Sequence, residues 1–332
     1  MNLKLLAYAK GIGIVLVLVA LIVAFSVLTP HFLTVSNFFN IAKQVATLGI
    51  IAVGFTFVLI TAGIDLSVGY QVSLDVIVCG FLMVNLNVQW LLAILLTLLL
   101  GTAVGLANGL IIAHTGVAPL IITLSMMMVL NGVSYLISEG LPIIGFPRDF
   151  SALSAGVGPG IPMPLIVMLV VWAVGVFILN YTVHGRYFYA LGSNVEAARL
   201  SGVNVKMNIV LVYALCGFFT SIGAVLMLAR LNSAQSATGA DLMFSVLTAC
   251  VLGGVSVMGG KGTMFGAFIG VLIVGVLDNG LLLANVSAYI QLVMKGCILG
   301  AAVIYDTMSK ASGDRVKRMK AIGAETEANT MK

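Results

Sequence analysis

Apolar stretches long enough to cross a bilayer recur along the whole chain, and they restrict the fold more than any other property of the sequence. They fall at about residues 12–28, 44–61, 68–84, 90–113, 119–137, 162–181, 209–230, 242–258, 264–283 and 289–307. A helix needs about 20 apolar residues to span about 30 Å of hydrocarbon, where its backbone groups must bond to one another. The expectation is an all-α, polytopic transmembrane bundle of about ten spans. An even number puts both termini on one side. A membrane β-barrel is excluded, because its strands read as short alternating segments. Composition agrees: of 332 residues, 61% are hydrophobic and 8% charged, where a soluble domain carries about 25% charged residues. An ordinary soluble enzyme, a nucleic-acid binder and a disordered chain are thereby excluded. Lys4 and Lys10 precede the run Gly11–Leu28. That run is long for a signal sequence and lacks a small-x-small cleavage site, so it is expected to stay as the first span.

Charge orients the spans. With both termini inside, Lys4, Lys10, Arg186, Arg199, Lys206, Lys261, Lys310, Arg315, Lys317, Arg318, Lys320 and Lys332 are inner, and Lys43 and Arg148 are outer. Twelve against two follows the rule that basic residues stay on the cytoplasmic side. Arg230 and Lys295 fall within or at the edge of spans. One membrane domain is expected over residues 1–310, with a polar cytoplasmic tail over 311–332. The loop 138–161 lies outside and the loop 181–208 inside. Cys79, Cys216, Cys250 and Cys297 sit in apolar runs without CxxC spacing and read as buried thiols.

Of the 37 glycines, Gly101, Gly105 and Gly109 repeat every four residues, with Ala113 continuing the stripe. Gly266 and Gly270 repeat the pattern. Small residues at this spacing let helices approach closely, either for tight packing or as a moving interface. No catalytic residues emerge: there is no HExxH, no GxSxG and no histidine pair at metal spacing, so no metal is expected. Gly259–Thr263 reads GGKGT but fails the phosphate-loop pattern, with Val255 where the first glycine belongs and Gly262 where Ser or Thr would hold magnesium.

Three segments remain. Gly63–Gly69 reads GIDLSVG. Asp65 is costly near hydrocarbon, so Asp65 or Ser67 either caps the next helix or belongs to a broken-helix element lining a substrate path. Gly253–Gly266 reads GGVSVMGGKGTMFG. Its glycines Gly253, Gly254, Gly259, Gly260 and Gly262 form either a tight turn between spans or a helix break near the path. Gly185–Gly202 reads GRYFYALGSNVEAARLSG. There Asn194 caps a short helix, Glu196, Ala197 and Ala198 form its first turn, Arg199 follows and Gly202 stops it. Such a helix either connects two spans or inserts into a groove of another protein.

PHFLTVSNFFNI (Pro30–Ile41), GIDLSVG, YALGSNVEAARLSGVNV (Tyr189–Val205) and VLGGVSVMGGKGTMFGAFIG (Val251–Gly270) resemble permease subunits of bacterial ABC importers for monosaccharides, the ribose permease group above all. The resemblance covers nearly the whole chain. It implies that Glu196, Ala197, Ala198 and Gly202 belong to the loop that docks on a separate ABC ATPase, which binds ATP and magnesium. It also implies an extracytoplasmic sugar-binding protein, a second permease copy, alike or related, and a multi-pass place in the bacterial inner membrane. The chain departs from the family at Ala240–Ala249, ADLMFSVLTA, where the aspartate is displaced and small residues are replaced by larger ones. Gly192–Ser193 stands for a glycine pair. The expectation is a permease subunit that imports a ribose-like pentose or a hexose and is not itself an enzyme. Two other readings stay open: an ABC permease for another solute, such as a branched-chain amino acid, and an ion-coupled secondary transporter. Asp75 and Asp278 are the only acids deep in expected spans. Asp278 with Asn279 is a candidate contact for sugar hydroxyls.

Overall fold

A computed structural model describes residues 3–157 and 161–308, with side chains over 13–155 and 161–308. The tail beyond residue 310 and its basic run Asp314–Lys320 lie outside the described residues. In chain order the elements are α1 (Leu3–Leu28), α2 (Val35–Ile60), α3 (Val68–Val84), α4 (Trp90–Thr115), α5 (Pro119–Ser138) and α6 (Arg148–Ser151). A short antiparallel hairpin follows, β1 (Gly156–Val157) with β2 (Ile161–Pro162). Then come α7 (Met163–Tyr181), α8 (Val183–Ser193), α9 (Val195–Leu200), α10 (Val205–Leu231), α11 (Leu242–Leu252), α12 (Met264–Leu283) and α13 (Ala288–Met308). Among the described residues, 7 helices are long and apolar enough to cross a membrane: α2, α4, α5, α7, α10, α12 and α13. Gly13–Leu28, α3 and α11 are shorter apolar helices. The chain is a polytopic helical bundle.

Local chemistry sets the boundaries. Thr34 opens α2 by accepting the Asn37 N–H at 3.3 Å. Gln89 does the same for α4 through Leu92 at 3.3 Å. Pro119 stands in the first turn of α5, where a missing N–H costs nothing. α2 is buried throughout from Val45 to Ile60 and forms the axis of the core with α10.

The glycine stripe of α4 is where α10 packs. A Cβ at Gly109 would lie 2.8 Å from Val210 Cα, and one at Gly105 would run into the Tyr213 carbonyl. From the other side, Gly217 faces the Gly101 carbonyl. The two backbones touch, which only glycine allows. Gly266 and Gly270 likewise meet Gly253 and the Ala249 carbonyl at the crossing of α11 and α12.

Two expectations need correction. The apolar window at 242–258 is not a continuous span. α11 has 11 residues, about 16 Å at 1.5 Å per residue, half of the hydrocarbon thickness. It stops where Gly254, at φ 81°, takes the left-handed conformation. There Gly254 N–H bonds the Val251 carbonyl and Val255 N–H bonds the Cys250 carbonyl, the two bonds of a Schellman stop. The missing half lies before α11. Ala234 packs on Gly80, Gly239 N–H donates to Ser73 Oγ at 3.0 Å, and Gly239 lies against Gly69. Contacts running from residue 80 to residue 69 of α3 cover about 16 Å of rise. The segment Asn232–Asp241 therefore descends into the bundle beside α3, and α11 completes the crossing. Cys79, Cys216 and Cys250 are buried free thiols as expected, but Cys297 is exposed, because α13 lies on the outside of the bundle.

The α4–α10 contact yields a paired test. Gly105→Leu should destabilise the bundle by about 1–3 kcal/mol or more through overpacking. Gly132→Leu on α5, where a Cβ meets nothing within 4 Å, should be close to neutral. Thermal unfolding in detergent measures both. Equal midpoints would remove the close contact from the fold.

Candidate functional site

The candidate coupling residues gather at one end of the bundle. Asn194 joins two helices. Its N–H bonds the Ala190 carbonyl at 3.0 Å, closing α8, and its Oδ1 accepts the Ala197 N–H at 3.0 Å, opening α9. Gly202, at φ 82°, ends α9 through its N–H to the Arg199 carbonyl and the Val203 N–H to the Ala198 carbonyl. The cap and the stop are those expected from the sequence. Ala198 is buried against the bundle, while Val195, Glu196, Ala197, Arg199 and Leu200 are exposed, Leu200 to 87%. The pair Arg199–Glu196 at 3.3 Å lies in the open and adds little stability. Val195 and Leu200 give this six-residue helix exposed apolar side chains beside the charged pair.

α8 straps α9 to the bundle. Phe188 packs on Phe57 of α2 with ring centroids 5.8 Å apart, and His184 Nδ1 pairs with Asn208 Oδ1 of α10 at 3.0 Å. Gly192 lies against the Ile60 carbonyl at the end of α2. Tyr189 donates its hydroxyl to the Gly262 carbonyl at 2.7 Å. Burial pushes that hydroxyl's pKa up, so it remains a donor. Gly262 belongs to the glycine-rich run, which is the turn between α11 and α12. Gly254, Gly259, Gly260 and Gly262 all take positive φ there, and Gly253 packs on Gly266. Gly259 lies on Ala62 and Gly260 on Ser193, and Gly260 N–H donates to the Ile60 carbonyl at 2.9 Å. Ser256 Oγ bonds Asp306 of α13 at 2.9 Å. Of the two readings of these glycines, the backbone here is that of a turn between helices, and the non-helical stretch before α11 falls at Asn232–Asp241.

Asp65 and Ser67 lie in the interior. Asp65 Oδ1 accepts the Ser67 N–H at 3.0 Å and the Ser67 hydroxyl, and Asn108 of α4 donates to that hydroxyl at 3.0 Å. Thr123 of α5 donates to the Ile64 carbonyl at 3.2 Å. Within one chain the carboxylate organises the start of α3.

A cavity of about 180 Å³ lies in the other half of the bundle. Gln44 and Thr47 of α2, Arg230 of α10, Thr238, Asp241 and Ser245 around the start of α11, Asp278 of α12 and Lys295 of α13 supply its polar lining. Lys295 Nζ sits 2.9 Å from Asp278 Oδ2 and donates to Ser245 Oγ at 3.2 Å. Asn279 does not reach it. Its amide pairs reciprocally with Asn37, both bonds at 2.9 Å. Sequence reasoning found Asp278 and missed the rest of this lining. The available signal was opposite charge at matching depth: Asp278 and Lys295 sit at similar distances from the turn between α12 and α13. Asp75 bonds Ser221 at 2.7 Å and shares no partner with Asp278.

Residues 37–303 match the family described as branched-chain amino acid transport system / permease component. The chain is 40% identical over 301 residues to the ribose import permease of Escherichia coli (strain K12), covering 90% of this chain and 92% of that protein. It is 39% identical to the ribose import permease of Bacillus subtilis (strain 168), covering 91% and 94%. It is 36% identical to the galactose/methyl galactoside import permease of Escherichia coli (strain K12), covering 92% and 96%. No solved structure matches it.

The geometry at Asp65 separates its acceptor role from its charge. Asp65→Asn keeps an oxygen for Ser67 and should stay near wild type in thermal stability. Asp65→Ala strands a buried N–H and hydroxyl and should cost about 1–3 kcal/mol. Equal loss in both variants, read as unfolding midpoints, would show that the charge itself matters.

Proposed function

The chain belongs to this family of transport permease components, and from that premise we propose that it is the membrane-spanning subunit of an ATP-driven ABC importer for a monosaccharide, a ribose-like pentose or a hexose. The observation that carries the reading is identity of 36–40% over about nine-tenths of the chain to permeases named for ribose and galactose. The family description also names branched-chain amino acids, but the full-length relatives carry sugar names. The chain is the translocation subunit, and ATP and magnesium belong to a partner ATPase.

The bundle end with α8, α9 and the glycine turn faces the cytoplasm, as the basic residues Arg186, Arg199, Lys206 and Lys261 favour. The exposed face of α9, with Glu196, Ala197, Arg199 and Leu200, seats in a groove of the ATPase. Displacing α9 pulls on α8, and through it on the ends of α2 and α10 and on the turn before α12. Two packings of the bundle, close in free energy, then alternate as ATP is bound and hydrolysed in the partner. Sugar arrives at the opposite face from a binding protein, and a second permease copy completes the path. An ion-coupled mechanism is less favoured, since Asp75 and Asp278 have separate partners.

Uptake of labelled D-ribose, D-galactose and D-allose should survive collapse of the proton gradient and stop on ATP depletion. Excess leucine should not compete. The opposite energy dependence would sink the reading.

α9 supplies the sharper test. Gly202 has open space around it, so a side chain there costs locally only its left-handed strain, about 1–2 kcal/mol. Gly202→Asp and Ala197→Glu should insert normally yet lose uptake and co-purify poorly with the ATPase. Wild-type uptake and co-purification in both would take the coupling role from this loop.

A further inference from the structure

We propose that Asn232–Asp241 is a gate at the end of the bundle away from α9. The outer loop 141–151 carries it, serine hydroxyls hold it against α3 and α5, and it swings out to join the path to the outer water. The inference rests on the transport reading above and gives that reading a moving part.

Three observations carry it. The first is what the segment shows to its surroundings. Ala234, Ser236 and Gly239 are buried, while Gln235, Ala237 and Asp241 are exposed. Ala234 and Gly239 pack on Gly80 and Gly69 of α3, so the stretch lies at membrane depth. Non-helical backbone does not face lipid there; it is buried in protein or borders water. Asp241 makes no ion pair among the described residues, and a bare carboxylate in hydrocarbon is costly. The exposed edge therefore faces water.

The second is the difference between its two attachments. Ile143 and Ala234 exchange main-chain hydrogen bonds of 3.0 and 2.9 Å, and Ser151 Oγ donates to Asn232 Oδ1 at 2.8 Å. These tie the segment to the loop. Among the described residues, its hydrogen bonds to α3 and α5 all run through serine hydroxyls. Ser236 Oγ pairs with Ser138 Oγ of α5 at 2.7 Å and donates to the Ser134 carbonyl at 3.2 Å. Gly239 N–H donates to Ser73 Oγ of α3 at 3.0 Å. A hydroxyl both donates and accepts, so water can take the place of either partner at little cost. The buried residues of the segment are Ala, Ser and Gly, so none of its large side chains interlocks with the helices.

The third is the backbone at the joints. Glu139 at φ 53° and Gly140 at φ 74° join α5 to the loop, and Asn232 at φ 50° joins α10 to the segment. The chain thus leaves both helices abruptly, and a few residues at element ends are what absorb the rotation of a hinge.

The test locks the gate reversibly in whole cells, in a Cys297→Ser background with membrane levels matched. Ser138→Cys/Ser236→Cys puts two thiols where hydroxyl oxygens lie 2.7 Å apart, close enough for a disulfide between the segment and α5. Ile143→Cys/Ala234→Cys puts a disulfide between the segment and the loop, within the moving body. Oxidation of the first pair should lower uptake of D-ribose, D-galactose or D-allose by about ten-fold or more, as loss of one of two alternating states requires, and reduction should restore it. Oxidation of the second pair should leave uptake unchanged. Normal uptake with the first cross-link formed, or equal loss with both, overturns the proposal. A second measurement needs no cross-link. Gln235→Cys and Ala237→Cys, single substitutions on the exposed edge, should react with an impermeant thiol reagent from outside, while Leu99→Cys on the exposed face of α4 should not. Silence at both positions of the segment overturns the gate. If a reduced double variant is inactive, this labelling decides alone. If wild type takes up none of the sugars, the transport reading falls, and the same labelling still decides whether the segment opens to water.

Discussion

Backbone contact between α4 and α10 is the interaction around which the other helices are placed. At Gly101, Gly105 and Gly217 the two main chains approach without any side chain between them. In lipid, apolar side chains gain nothing by leaving their solvent, so association rests on packing and hydrogen bonds. The close contact provides the packing and brings polar groups into reach. Gln71 Nε2 donates to the Gly217 carbonyl at 2.8 Å, and Ser221 donates to Asp75 at 2.7 Å. These bonds fix α3 against α10. α3 in turn is the wall down which Asn232–Asp241 enters the bundle, so the cavity at its foot depends on glycines two helices away.

The polar interior divides into two kinds. Asp65, Ser67 and Asn108 form a chain of hydrogen bonds that joins the start of α3 to α4. Asn37 and Asn279 consume each other's amides. These pairs behave as structural ties between helices. The groups around Asp278 and Lys295 differ, because they form an ion pair between α12 and α13 beside open space.

Much of this was legible in the sequence where the governing forces are local or summed over long windows. Hydropathy located the helices, because about 20 residues in lipid leave the backbone little choice. The cap at Asn194 and the stop at Gly202 were legible because such motifs reach only three or four residues. The segment Asn232–Asp241 was not. Its polar, glycine-containing composition reads as an exposed loop, and its burial depends on Gly69, Ser73 and Gly80, far away in the chain. The glycine-rich run allowed two readings because positive φ is needed by turns and by breaks alike. Asp65, at the junction of two apolar runs, allowed a capping and a path reading, and its bond to Ser67 two residues on was not foreseen.

The shortness of α11 bears on how the chain is built into the membrane. Eleven residues are too few to partition stably into lipid as an independent unit, and the polar stretch before them has no reason to enter hydrocarbon at all. Both are buried against surfaces supplied by α2, α3 and α12, at Thr56, Gly69, Ser73, Gly266 and Gly270. α3 is synthesised well before α11, but α12 follows it. During biogenesis this region must therefore wait at the membrane edge, in the insertion machinery or folded loosely on α3, until α12 emerges. Assembly of the last third of the protein is then a single concerted event rather than the addition of spans one at a time.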